Sequence, residues 1–521
     1  MRGSAWQRRS VLALSSLFVL GSTYCYDNPG ALKTQLQQHF GRTIPRAEFE
    51  VYFNLSYSLY SVPNVLLPFF GGVLIDTYGV SFMALVLASL ILAGQVVTAL
   101  GSSFENIYLL LAGRVLFGLG GETMWVAQTT FVTHWFSPME LGFAIGINNC
   151  VATLGTLLND VLSPWIAAAF DVTFALWVGS FVCVFSLCAT ILLVRLESTL
   201  PFERASPAAP VRLWDLRRFS LGFWLIAVLY IVINACTGPF ANVAGSVLLE
   251  RNYFIEPPID CRRCGLGAYL NHTCETLAPS CPMSPPFAWP LPQLAANCSI
   301  VSAFDQFKCK KGPPYLQDDQ INCDATAWRH GPLTHIYCSK KIDATAKATA
   351  MMAITPLVSA VFSPLSGSLV DGLGARASLG LVADVAIAAG HVLVRYTTSD
   401  VALALTLSGI GQSLFAAAMW SAIPFVVPPR YVSTAFGAIT SLSNVGLATV
   451  PLIVAHVYSR QQHYLPSVAN VFVVLSACGV VLGLCLLVAD ATVLRRALSR
   501  REVAEASAST EQLLDASDRD L

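Results

Sequence analysis

Twelve transmembrane helices, arranged as two pseudo-symmetric six-helix halves, make up the all-α membrane fold that this sequence predicts. Three observations carry it. The composition is too apolar and too sparsely charged for a water-soluble chain, twelve apolar stretches have spanning length, and a short glycine–aspartate pattern recurs once in each half. Of 521 residues, 55% are hydrophobic and 12% charged, with a mean hydropathy of +0.60. An average soluble domain carries about 25% charged residues. Basic and acidic residues balance at 31 each, so no global field steers the chain toward nucleic acid or anionic partners. A soluble enzyme, a fibrous protein and a nucleic-acid binder are thereby excluded as first readings.

A helical span needs about 20 mostly apolar residues. Such stretches are expected near 10–27, 50–71, 80–100, 105–134, 141–164, 170–195, 220–247, 346–370, 377–396, 400–428, 432–457 and 466–492. They are long continuous runs, unlike the short alternating strands of a membrane barrel. The first has the outline of a secretory leader: Arg2, Arg8 and Arg9, an apolar stretch over 11–20, then Gly21-Ser22-Thr23. Its apolar run continues through Tyr24, Cys25 and Tyr26, and its removal would leave an odd number of spans, so it is read as the first span.

Orientation follows from charges in short loops. The N-terminal tail holds Arg2, Arg8 and Arg9; the connector 196–219 holds Arg204, Arg212, Arg217 and Arg218; the tail 493–521 holds Arg495, Arg496, Arg500 and Arg501. Twelve spans put all three on one side, which is expected to be cytosolic. The halves are then 1–195 and, after the linker, 220–247 with 346–492; the segment 248–345 is an insert on the opposite side.

The internal repeat is Gly72-x-x-x-Asp76-x-x-Gly79 after the second span and Gly367-x-x-x-Asp371-x-x-Gly374 after the eighth, displaced throughout by 295 (367 − 72, 371 − 76, 374 − 79). Glycines let helix backbones approach closely, and an acid at a tight turn suits the positive end of a neighbouring helix. Duplicated six-helix halves joined by a polar linker resemble the major facilitator superfamily architecture. That resemblance implies a substrate site near the midplane between the halves and alternating access by rocking. These six residues are then expected to act in cytosolic gating.

The insert holds Cys261, Cys264, Cys274, Cys281, Cys298, Cys309, Cys323 and Cys338, eight of the 15 cysteines. It also carries two glycosylation sequons, at Asn271 and Asn297. An even cysteine count, the sequons and a non-cytosolic position agree on a four-disulfide, glycosylated unit whose pairing is open among 105 arrangements. Cys261-x-x-Cys264 has no second close pair to complete a zinc site, so no metal is expected, and no cofactor either.

Ionisable and polar groups inside spans are the functional suspects. In the fourth span, Arg114 and Glu122 stand eight residues apart on nearly one face, with Gly118, Gly120 and Gly121 between them and Gln128 beyond. Glu122 is expected to bind a substrate amine or a proton, or else to pair structurally with Arg114. In the fifth span, Asn149, Thr153 and Thr156 share a face that either lines a cavity or bonds a neighbour. Asn234 lies in the seventh span, Asp384 and His391 in the ninth, Trp420 in the tenth and Asn444 in the eleventh. His391 reads as interfacial; Trp420 as a gate or a packing residue. No Walker A loop, HExxH or GxSxG occurs.

Several stretches resemble one family closely, the domain-containing protein 1 group of the major facilitator superfamily, which are lysosomal dipeptide transporters. They include Tyr24-Cys-Tyr-Asp27-Asn28-Pro29, Phe69-Phe70-Gly71-Gly72, Gly113-Arg114 through Gly121-Glu122 to Ala127-Gln128, and Phe425-Val426-Val427-Pro428 with Thr434, Gly437, Ser441 and Asn444. The resemblance implies a non-enzymatic carrier of dipeptides or amino acids, uniport or proton-linked, in a lysosomal or vacuolar membrane, with a plasma-membrane site second. It implies that Glu122 anchors the peptide's amino group. Where the family has an arginine for the carboxylate, this sequence has Thr153, which cannot form a charged bidentate bond. The family also implies a glycosylated accessory membrane protein; the cysteine-rich insert is expected to replace it. The expected substrate-binding set is Glu122, Arg114, Gln128, Asn149, Thr153, Trp420 and Asn444. The rival readings are an organic-anion or vitamin carrier of the same fold and a non-transporting receptor that presents the insert. Glu511-Gln512-Leu513-Leu514 in the tail is a weak sorting signal.

Overall fold

The computed structural model describes residues 4–41, 44–137, 139–198, 217, 219–252, 321–323, 325–332, 334–397, 400–461 and 463–499. Every regular element among them is a helix. The first half contains α1 (Ala5–Tyr26), the short α2 (Asn28–Ala31) and α3 (Lys33–Phe40), then α4 (Arg46–Ser61), α5 (Leu67–Tyr78), α6 (Val80–Ser103), α7 (Ile107–Trp135), α8 (Leu141–Ala169) and α9 (Val172–Glu197). The second contains α10 (Leu221–Asn252), the short α11 (Thr326–Arg329), α12 (His335–Met352), α13 (Ile354–Leu373), α14 (Arg376–Tyr396), α15 (Val401–Val426), α16 (Val432–Gln461) and α17 (Ser467–Thr492).

Ten of these helices, with α12 and α13 as one run, are long and apolar enough to cross a membrane; the bent pair Val51–Val65 and Leu67–Tyr78 makes an eleventh. The remaining span is α1. It misses the hydropathy of its neighbours because the face it turns inward is polar: Ser15, Ser16, Ser22 and Thr23 are all buried. Ser15 and Ser16 donate to Asn148 Oδ1 at 3.2 and 2.7 Å, and the Gly21 N–H donates to Ser186 Oγ at 2.7 Å. The Ser15 and Ser16 hydroxyls are thus partnered by α8, and the α1 backbone at Gly21 by α9.

The second span is broken, not straight. Pro63 and Pro68 withdraw two backbone donors, and the chain bends 49° between α4 and α5. α5 also runs on to Tyr78, so Gly72 and Asp76 lie on its last two turns, and only Gly79 occupies the turn itself. The second copy repeats this: Gly367 and Asp371 lie on α13 and Gly374 ends it. Gly79 has φ +90° and Gly374 φ +68°, values that L side chains rarely adopt.

The helices of each half pack on one another, and the pairs α5·α16 and α8·α13 carry most of the contact between halves. At the insert, α10 extends to Asn252, and α12 begins ahead of the expected eighth span, overlaps its start and joins α13 at Ala353. Cys323 and Cys338 bring their sulfurs together there. Cys261, Cys264, Cys274, Cys281, Cys298, Cys309, Asn271 and Asn297 lie outside the described residues, as does the Glu511–Leu514 stretch.

A polar cavity between the halves and its two clasps

Between the halves lies a cavity of about 370 Å³, at the small end of the range for small-molecule sites. Helices of both halves line it: Glu122 and Gln128 from α7, Asn149 and Thr153 from α8, Tyr230 and Asn234 from α10, Gln412 and Trp420 from α15, Asn444 from α16. Six of the seven residues expected to bind substrate meet here. Glu122 is the only charged side chain in the lining among the described residues.

The glycines of α7 explain how Glu122 is held. A Cβ on Gly121 would lie 2.5 Å from the Tyr60 hydroxyl, and one on Gly118 would lie 3.0 Å from the Tyr60 carbonyl. Without them, α4 can seat Tyr60 directly against α7. Its hydroxyl donates to Glu122 Oε1 at 3.2 Å, at the edge of the cavity that Glu122 lines. Gln128 is oriented by donating to the Ser15 carbonyl at 2.9 Å, and Thr153 by donating to the Asn149 carbonyl at 2.9 Å.

Arg114 corrects the expectation made for it. It is outside the lining and 1% exposed, and it forms no ion pair with Glu122. It donates to the carbonyls of Cys25 and Tyr26 at 3.3 and 2.9 Å. These are the last residues of α1, where the helix dipole favours a cation. Its guanidinium also lies 5.4–5.6 Å from the ring centroids of Tyr57, Tyr60 and Phe117. Eight residues of helix carried it more than two turns away from Glu122 toward the end of α1.

Trp420 forms part of the cavity wall. Its ring lies 5.1 Å from Tyr230 and 5.2 Å from Phe436, and it packs against the Val132, Leu141 and Ile145 cluster of the other half. Asn444 donates to the Asn64 carbonyl at 2.7 Å, a group left free by the break between α4 and α5. His391 is buried rather than interfacial: its Nε2 is 3.3 Å from Cys236 Sγ, and its ring lies edge-on to Phe240. Asp384 is fully buried with neither oxygen hydrogen-bonded. Tyr60 and Gln412 belong to the site without having been singled out in the sequence. Tyr60 reads as one more apolar residue, and Gln412 as a lone polar residue whose facing is not encoded locally.

The two repeat motifs make matching contacts. Asp76 on α5 accepts from the Thr434 N–H and hydroxyl at 2.7 and 2.6 Å, in the first turn of α16. Asp371 on α13 accepts from the N–H groups of Gly142 and Phe143 at 2.9 and 2.7 Å, in the first turn of α8. Each carboxylate thus caps a helix of the opposite half, where unpaired N–H groups and the dipole favour it. A Cβ on Gly72 would stand 2.3 Å from the Ser433 carbonyl, and one on Gly367 2.2 Å from that of Gly142. Any larger residue would hold the helices apart. Thr130 Oγ1 adds a 3.1 Å bond to Ser433 Oγ across the same seam.

Comparison with known proteins agrees with this geometry. Lysosomal dipeptide transporter MFSD1 of Homo sapiens is 27% identical over 461 residues, covering 86% of this chain and 79% of its own. The Bos taurus protein of the same name is 26% identical, covering 86% and 78%. Among solved structures, the proton:xylose symporter XylE superposes with a TM-score of 0.61 at 10% identity, over 94% of this chain and 96% of its own. The human organic anion transporter MFSD10 does so with a TM-score of 0.55 at 15% identity, over 92% and 99%. The Major Facilitator Superfamily model matches residues 12–251 and 330–516. With paired six-helix halves, a cavity between them and the same clasp built twice, the chain belongs to the major facilitator superfamily of membrane transporters.

Proposed function

We propose that this transporter moves a small amine-bearing solute, dipeptides first and amino acids second, through the cavity between its halves. Glu122 receives the amine. The observation that carries this is that Glu122 is the sole charged side chain lining the cavity among the described residues, with one oxygen engaged by Tyr60. A cation is the ligand charge that compensates it. The relatives' names support a peptide-like solute and a lysosomal membrane. The arginines of the N-terminal tail, the 196–219 linker and the C-terminal tail support cytosolic termini. Gln128, Asn149, Thr153 and Asn444 orient the solute, Trp420 closes the cavity beneath it, and the six repeat residues gate the cytosolic side. An organic anion would face a carboxylate, with no Lys, Arg or His among the described lining residues to receive it.

The test is a thermal-shift and proteoliposome flux comparison of the wild type with Glu122→Gln. A ligand at 100 times its Kd stabilises by about 2.7 kcal/mol. The variant is expected to keep the ligand-free unfolding temperature, lose dipeptide stabilisation and lose flux. Undiminished flux in the variant would sink the reading.

A further inference from the structure

We infer that the part of the cavity lining beyond Glu122 is built for an uncharged hydrogen-bonding group, an amide rather than a carboxylate. This rests on the reading of Glu122 as the amine anchor. Charge balance is the first argument. One carboxylate faces the cavity, and no Lys, Arg or His lines it among the described residues. A monocation brought to Glu122 leaves the cavity neutral. A zwitterion leaves one negative charge uncompensated, in a place where water no longer solvates it fully.

Arg114 does not supply the missing charge. Its terminal nitrogens are committed to the carbonyls of Cys25 and Tyr26, and the rings of Tyr57 and Tyr60 lie against it. Tyr57, whose ring faces the guanidinium, donates its hydroxyl to Asp27 at 2.5 Å, so this group too is engaged outside the lining.

The second argument is the hydrogen-bonding character of what remains. Asn149, Asn234 and Gln412 come from three helices and line the cavity, and their side-chain amides make no hydrogen bond to another described residue. The Tyr230 hydroxyl, on the same wall, is buried and also unpartnered. Each free amide offers both donors and an acceptor. A carboxylate would satisfy only the donors and offer nothing to the three carbonyl oxygens. An amide satisfies both kinds.

The test compares binding of three probes to the detergent-purified full chain at neutral pH: dialanine, its C-terminal amide, and the N-acetylated amide. The expected order is amide at least tenfold tighter than dialanine, with the N-acetylated amide not binding. Thr153→Arg, which places a guanidinium in the lining, is expected to narrow or reverse the preference for the amide. Dialanine binding as tightly as its amide overturns this inference and leaves the Glu122 reading intact. Equal binding of the N-acetylated probe, or binding of none of the three, overturns the Glu122 reading and this inference with it.

Discussion

At the scale of single residues, the same helix face of α7 carries two charges with different work. Glu122 has one protein partner and lines the cavity; Arg114 is enclosed, with its terminal nitrogens on two helix-end carbonyls. Arg114→Met should therefore be a stability variant. The Cys25 carbonyl keeps the Asp27 N–H as a donor, but the Tyr26 carbonyl loses the guanidinium, and a buried carbonyl left without a donor costs about 1–3 kcal/mol. A clearly lower unfolding temperature is expected, while the protein that does fold keeps its dissociation constant for an amine-bearing probe. A loss of affinity at unchanged stability would instead return Arg114 to the binding site. Asp384 makes the opposite case. Both its oxygens are buried without partners, and a Cβ on Gly483 would lie 2.5 Å from one of them. Asp384→Asn keeps the shape and removes a group that burial penalises, so its unfolding temperature should equal or exceed that of the wild type. A marked fall would reveal a partner for the carboxyl. Glu122 was legible in the sequence because a charge within a span demands a reason. Arg114 met the same demand, and only the direction in which its side chain leaves α7 decided which reason applied.

At the scale of elements, hydropathy located the spans well where their side chains face lipid or an apolar core. It found α1 too, although Ser15 and Ser16 turn inward to bond Asn148, and Ser186 bonds the α1 backbone at Gly21 and Leu17. It failed in one instructive place. The second span reads as continuous because Pro63 and Pro68 sit in an otherwise apolar run, while the structure bends it 49° there. The break is tolerated because α16 of the other half supplies what it lacks: Asn444 donates to the Asn64 carbonyl, and Ser441 Oγ accepts from the Phe69 N–H at 2.9 Å. Neither contact can be read from local pattern, since each joins residues more than 370 apart. Asn444→Leu fills the space but leaves the carbonyl unpaired. The expected loss is about 1–3 kcal/mol, seen as a lower unfolding temperature and as faster amide hydrogen exchange over residues 62–69. Unchanged exchange in that segment would mean that the break does not depend on α16.

At the scale of the whole molecule, the duplication predicts more than the location of a motif. The close approaches are Gly72 to Ser433 and Gly437 to Pro68 on one side, Gly367 to Gly142 and Gly146 to Ser363 on the other. The α5 and α13 residues correspond by 295 (367 − 72, 363 − 68), and the α16 and α8 residues by 291 (433 − 142, 437 − 146). One clasp puts an acid of the first half on a helix of the second, and the other puts an acid of the second half on a helix of the first. Rocking the halves apart at that end must break both together, so their free energies add. An anion at a helix N-terminus contributes about 0.3–1 kcal/mol when exposed and up to about 2 kcal/mol when partly buried. An amide in its place keeps the shape and loses the charge. Asp76→Asn and Asp371→Asn should each raise the ratio of the state open at that end to the closed one, by up to about tenfold for each 1.4 kcal/mol removed. The double variant should raise it by about the product of the two. Spin labels at the exposed Tyr78 and Arg430, one on each side of the α5·α16 seam, report the distance distribution. A double variant no more open than either single one would show that one clasp alone holds that end shut, and that the structural symmetry is not an energetic one.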